Sequence, residues 1–173
     1  SRLRHVEEAP TSRIVATSSG PLEVGHQDVL FVTSLVDGRS RPVNATVQVV
    51  SEHAYWYFEK GFEPREESLA AAARTFEEII YPVVTEAFGR EWTPGVDNDP
   101  HMSILHSPLR GAAGYYSASD EYPREIYRFS NEREMIYMNT SSFRVGSSAY
   151  LGTLAHEFQH AIHSRAVPDD ETW

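Results

Sequence analysis

The chain has 173 residues, 40% hydrophobic and 12% aromatic, enough for one folded domain with a sizeable core and unlike a disordered segment. Its 25 acidic residues outweigh 15 basic ones, and a formal charge of −10 repels phosphate backbones, which disfavours nucleic acid and anionic membrane as partners. With no cysteine, disulfides and thiolate metal sites are excluded, so His, Asp and Glu must hold any transition metal, and no apolar run reaches the ~18 residues of a membrane span.

Residues 1–20 are polar and read as loosely ordered. The start lacks Met and an apolar signal region, as in a processed or trimmed chain, and the end at DDETW reads as a cut. Residues 28–37 (DVLFVTSLVD) and 43–58 (VNATVQVVSEHAYWYF) are rich in Val, Thr and aromatics, which predicts strands joined by a turn at DGRSRP. No repeat or low-complexity linker interrupts the chain, so 1–173 reads as one domain.

Residues 64–89 form the longest predicted helix. Leu69, Ala72, Ala73, Phe76, Ile80, Val83, Val84 and Ala87 recur on one face. Glu66 and Glu67 suit its N-terminal end and Gly89 its stop, while Pro82 lacks a backbone donor and predicts a kink. A loop (93–100) leads to three short extended segments at 101–107, 113–119 and 133–140. A second helix then runs from about Ser148 to about Ala166, with Ser147 or Ser148 available as cap. This order predicts an α+β domain with its helices packed on one sheet face.

The second helix carries the chemistry. At 100° per residue, His156, His160 and His163 fall within an arc of about 60°, with Leu151, Leu154, Phe158, Ala161 and Ile162 broadly opposite. His156, Glu157 and His160 spell H-E-x-x-H. Two imidazoles one turn apart can grip a zinc ion, while the glutamate serves as general base toward a water activated by the metal. A packing role for the same helix would have to satisfy several polar imidazoles at once, which is costly.

Hydrolytic zinc takes three protein ligands. His163 shares the face, but ligands on three consecutive turns are nearly collinear and ill-disposed for a tetrahedron. It can equally line the cleft, support the ligands or sit in solvent. The longer pattern H-E-x-x-H-x-x-G-x-x-H fails at His163 and Ala166. Asp169, Asp170 and Glu171 can fold back toward the pair or form a charged surface turn.

The run from Gly114 to Trp173, including SNEREMIYMN, HEFQHAIH and DETW, resembles secreted bacterial neutral zinc metallopeptidases of the hyicolysin-like kind, within the gluzincin group of zincins. VGHQDVLFV and SEHAYWYFEKG extend the likeness toward the start. The resemblance implies a zincin-like N-terminal subdomain, Zn2+ held by His156 and His160, Glu157 as catalytic base, and peptide or protein substrates outside the cell. It also implies a third ligand, a glutamate on a helix beyond Trp173, so that this stretch alone is expected to be inactive. EMIYMN is expected as the sheet edge along which an extended peptide adds as a strand.

Weaker features complete the reading. DNDPH (97–101) and SASDEYPRE (117–125) place acidic groups in loops without the spacing of a known calcium loop, and read as solvated turns. His5, His26, His53, His101 and His106 read as surface or core histidines. Tyr115 and Tyr116 can line the cleft or simply pack. Rival readings are a non-catalytic binding fragment or degenerate protease, and a zinc hydrolase acting on a non-peptide substrate.

Overall fold

A computed structural model describes residues 21–90 and 97–164, together with the backbone of the last helix to residue 166. The expectations for residues 1–20, including His5, and for Asp169, Asp170 and Glu171 lie outside the described residues. Alternating Val43, Ala45 and Val47 inward against Asn44 and Thr46 outward makes 40–50 a half-buried strand. This strand, β2 (Ser40–Val50), pairs antiparallel with β1 (Gln27–Thr33) and β3 (Ala54–Glu59). The expected 43–58 run is therefore two strands, because the chain turns at Ser51–His53 after a register shift between Val47 and Val49.

β3 reads AYWYFE and is buried on both sides, as a central strand covered by two layers should be. Beyond it lie β4 (Met102–Ser107), β5 (Gly114–Tyr116) and β6 (Met135–Asn139), giving the order β1-β2-β3-β4-β6-β5. β3, β4 and β6 run parallel; β5 is antiparallel to β6. The fold is thus α+β with a mixed sheet. EMIYMN, expected at the edge, is β6 and lies inside the sheet between β4 and β5, so the edge is β5. Its five residues are all buried, which explains the place: an apolar run without alternation needs cover on both faces.

The sheet is strongly curled. β1 and β5 stand at opposite ends of the strand order, yet Thr33 N–H donates to the Tyr115 hydroxyl at 3.1 Å. Asn131, in the segment before β6, clasps Phe31 by accepting from its N–H at 2.8 Å and donating to its carbonyl at 3.0 Å. Leu30, Val32, Val43, Val47, Tyr55, Tyr57, Leu105 and Tyr137 fill the side enclosed by the curl.

All long helical segments cover the other face. The predicted 64–89 helix is three pieces: α1 (Glu66–Thr75), a π-helical turn over Phe76–Ile80, and α2 (Tyr81–Phe88), closed by Gly89 at φ +92°. The disruption falls in the turn preceding Pro82, where the proline offers the Glu78 carbonyl no N–H, and the backbone stays helical through Ile80 and Tyr81. Inserting one residue per turn advances the helix face by about 100°. Tyr81 is consequently buried beside Val84, which keeps its expected inward place, whereas Val83 (60% exposed) and Ala87 of the expected stripe face outward.

α3 (Ser148–Ala166) begins where expected, and Tyr150 N–H donates to Ser147 Oγ at 3.2 Å as its cap. Tyr150, Leu154, Phe158, Ala161 and Ile162 turn inward. Phe158 meets the Phe76 and Tyr81 rings, each with centroids 5.5 Å away, a burial that contributes roughly 2–3 kcal/mol. Among the described residues, no helix is long and apolar enough to cross a membrane.

Candidate metal centre

Because α3 commits its apolar back to the core, the residues one to two positions away are carried to the front. His156 and His160 are exposed there, with their Nε2 atoms 3.0 Å apart and rings at 89°. Two nitrogens on one tetrahedral ion with 2.0–2.1 Å bonds would stand ~3.3 Å apart, so the pair suits a shared zinc. Among the described residues, no third His, Asp or Glu completes a three-donor cluster with them.

Glu157 sits between the front and the core, 8% exposed. Burial raises its carboxyl above the ordinary value, while His160, His156 and the Tyr116 backbone N–H pull the other way. The Tyr116 bond is a consequence of the edge. Asn139 N–H donates to the Ala113 carbonyl at 2.9 Å, so residue 113 faces β6 and, by alternation, residues 114 and 116 face away, toward α3. Tyr116 is also tied to α3 through its hydroxyl, 2.9 Å from Ser164 Oγ.

Gly114, Tyr115, Tyr116, Glu157, His160, His163 and Ser164 line an open groove of about 500 Å³ between β5 and α3. His163 joins this groove and sets its ring edge-on to Phe88 at 5.0 Å. Tyr115 packs flat on Tyr137, with centroids 4.1 Å apart. Gly114 is where the edge and the helix come closest: a Cβ there would lie 2.9 Å from both Thr153 Cγ2 and the Tyr137 carbonyl oxygen. Gly114 and Ser164 were not among the candidates; for Gly114 the signal was GYY after a turn, since a Gly opening an edge strand marks close backbone approach.

The acidic loops are not simply solvated turns, because their central aspartates are buried. Asp99 is buried, accepting from the Tyr55 hydroxyl at 2.6 Å and bonded to His101 Nδ1 at 2.8 Å. Asp120 is buried and accepts from Asn131 N–H at 2.8 Å and the Tyr137 hydroxyl at 2.6 Å; burial pushes its pKa up to about 6. Both aspartates bind side chains planted in strands, pinning the loops that enclose the curled side.

Of the remaining described histidines, His26 is 3.9 Å from Asp28, and His53 faces Glu77. His106 is wholly internal: Nδ1 is 2.8 Å from the Tyr57 carbonyl and Nε2 2.7 Å from the Tyr150 hydroxyl. Since a carbonyl only accepts, Nδ1 carries the proton and Tyr150 donates to Nε2. Burial lowers the His106 pKa to about 4, so the ring is neutral.

No family model matches the chain. It is 30% identical over 100 residues to the neutral metalloprotease ShpI of Staphylococcus hyicus, an overlap of 51% of this chain and 22% of that protein. The chain thus spans about a fifth of the relative it matches. This similarity supports a distant metalloprotease relationship.

Proposed function

We propose that this chain is part of the catalytic domain of a secreted, zincin-like endopeptidase, with His156 and His160 as metal ligands and Glu157 as general base. The observation that carries the reading is the imidazole pair, with facing nitrogens 3.0 Å apart, beside a carboxylate sunk in the same helix. Bound zinc would supply Lewis acidity, polarising the scissile carbonyl and acidifying the attacking water.

The chain's own residues would do the rest. Burial moves Glu157 toward the proton affinity a base needs near neutrality. It takes a proton from the attacking water and delivers it to the leaving amine. Tyr116 N–H holds the carboxylate in one orientation. An extended peptide would add alongside β5, where Gly114 keeps the backbone within reach of the groove. On the resemblance to hyicolysin-like peptidases, the third ligand would be a glutamate that is not among residues 1–173.

Zinc stoichiometry and casein hydrolysis, measured on this chain and on one extended past Trp173, test the reading. The extended chain should bind one zinc tightly at the motif and hydrolyse casein, losing both in His156→Ala. Undiminished hydrolysis in His156→Ala would sink the assignment. Equal tight zinc binding by both chains would place the third ligand within residues 1–173.

A further inference from the structure

A second group of side chains of metal-ligating type is found apart from the His156–His160 pair. The turn between β2 and β3 carries Ser51, Glu52 and His53 against Glu77 of the π-helical turn. Glu77 Oε1 accepts from Ser51 Oγ at 2.6 Å and from His53 N–H at 2.8 Å, while Oε2 lies 2.6 Å from His53 Nδ1. The Trp56 indole donates to Ser51 Oγ at 2.9 Å, and the His53 ring lies flat on Tyr81 with centroids 3.6 Å apart. Two of the three potential ligands are therefore already held in place.

We infer that Glu52, His53 and Glu77 form a separate site for a divalent cation of the zinc class, one that fastens the β2–β3 turn to the backing helix. Ligand atoms of all three lie within 4.8 Å of one another. Hydrogen bonds alone would not call for Glu52, which is exposed and has no salt-bridge partner among the described residues. It places a second carboxylate beside Glu77 and a histidine, and in the neutral imidazole form the trio carries a charge of −2, which a dication neutralises. The mixed N/O donor set favours zinc over calcium or magnesium, which prefer oxygen alone.

Accommodation is small. Tetrahedral ligands on 2.0–2.1 Å bonds stand ~3.3 Å apart, so the His53–Glu77 contact opens by ~0.7 Å while the exposed Glu52 swings in. The imidazole proton moves from Nδ1 to Nε2, freeing Nδ1 to bind. Tyr81 stacks on His53 and also meets Phe158, which faces inward from α3, whereas His156 and His160 are on that helix's exposed face.

The experiment is a zinc titration, with the metal alone, of the full chain carrying both His156→Ala and His160→Ala. This background removes the motif pair, so the outcome does not depend on the peptidase reading. One equivalent should bind, and the melting temperature should rise with zinc. Adding Glu52→Gln, which leaves every Glu77 hydrogen bond intact, should weaken binding roughly tenfold. Adding His53→Gln should abolish saturable binding. No saturable zinc binding in the double-alanine background would overturn the site, as would binding that persists unchanged through Glu52→Gln and His53→Gln.

Discussion

Gly114 and Glu157 meet across the groove at van der Waals distance: a Cβ on the glycine would stand 3.4 Å from Glu157 Cγ. The same Cβ would press at 2.9 Å on Thr153 Cγ2 and on the Tyr137 carbonyl. The carbonyl belongs to the sheet and cannot step aside, so β5 or α3 must shift. Gly114→Ala should cost about 1–3 kcal/mol in denaturant melts. In an active extended chain, kcat/KM should drop roughly 100-fold, because Glu157 would be displaced from its hold on the strand. Wild-type stability in this variant would show that the approach is looser than the geometry implies.

On the proposed mechanism, Glu157→Gln separates proton transfer from metal binding. The amide keeps the shape but accepts no proton from water, while His156 and His160 are untouched. Zinc content should stay at the parent level and turnover should fall by about two to four orders of magnitude. The check is zinc analysis and peptide hydrolysis on the same preparation of the extended chain; near-parent turnover would remove Glu157 from the chemistry.

Acid should unfold the domain partly through His106. Its folded pKa of about 4 lies below the unfolded value of 6.5, so the neutral ring contributes full stability above pH 6.5. That contribution is lost as pH falls from 6.5 toward 4, and it is on the order of 3 kcal/mol. Asp120, with its pKa raised to about 6 from 3.8, acts in the opposite sense: its protonated form favours the fold as pH drops across that window. A His106→Gln variant isolates the first effect. Its stability deficit relative to the parent should shrink between pH 7.5 and pH 4.5 in parallel urea melts, and a constant deficit would contradict the buried neutral ring.

The start of α3 offers a local test. Ser147 Oγ accepts the Tyr150 N–H, and Ser147→Ala leaves that amide without its cap. A loss of about 1 kcal/mol is expected, read as a lowered melting temperature. Zinc affinity at the motif should be unchanged, since His156 lies more than two turns further on.

The elements legible in the sequence were those whose pattern is set by one partner. α3 shows an apolar back and a polar front, and its limits and cap position follow from that contrast alone. β2 alternates for the same reason. The phase of α2 was not fully legible, because Pro82 marks a disruption of the preceding turn without showing that the turn takes in an extra residue. Nor was the position of β6: a strand buried on both faces reads the same at an edge as in the middle until its neighbours are known. The loop aspartates were misread as solvated, since the tyrosines that bury Asp99 and Asp120 come from distant strands. For the candidate centre, helical spacing was enough to bring His156, His160 and Glu157 together, whereas Tyr116, Gly114 and Ser164 join them only through the pairing of β5 with β6.

The curl of the sheet also governs how copies of this protein can meet. A terminal strand with free amides is a template for another chain, and β1 is seven residues long. Of its four outward amides, three are nonetheless taken: Val29 N–H by Asp28 Oδ1, Phe31 N–H by Asn131 and Thr33 N–H by the Tyr115 hydroxyl. Side chains thereby block most of the long margin against polymerisation, from Val29 to Thr33. The β5 margin is three residues long and its Tyr116 N–H is already held by Glu157, so it is too short to seed a fibril.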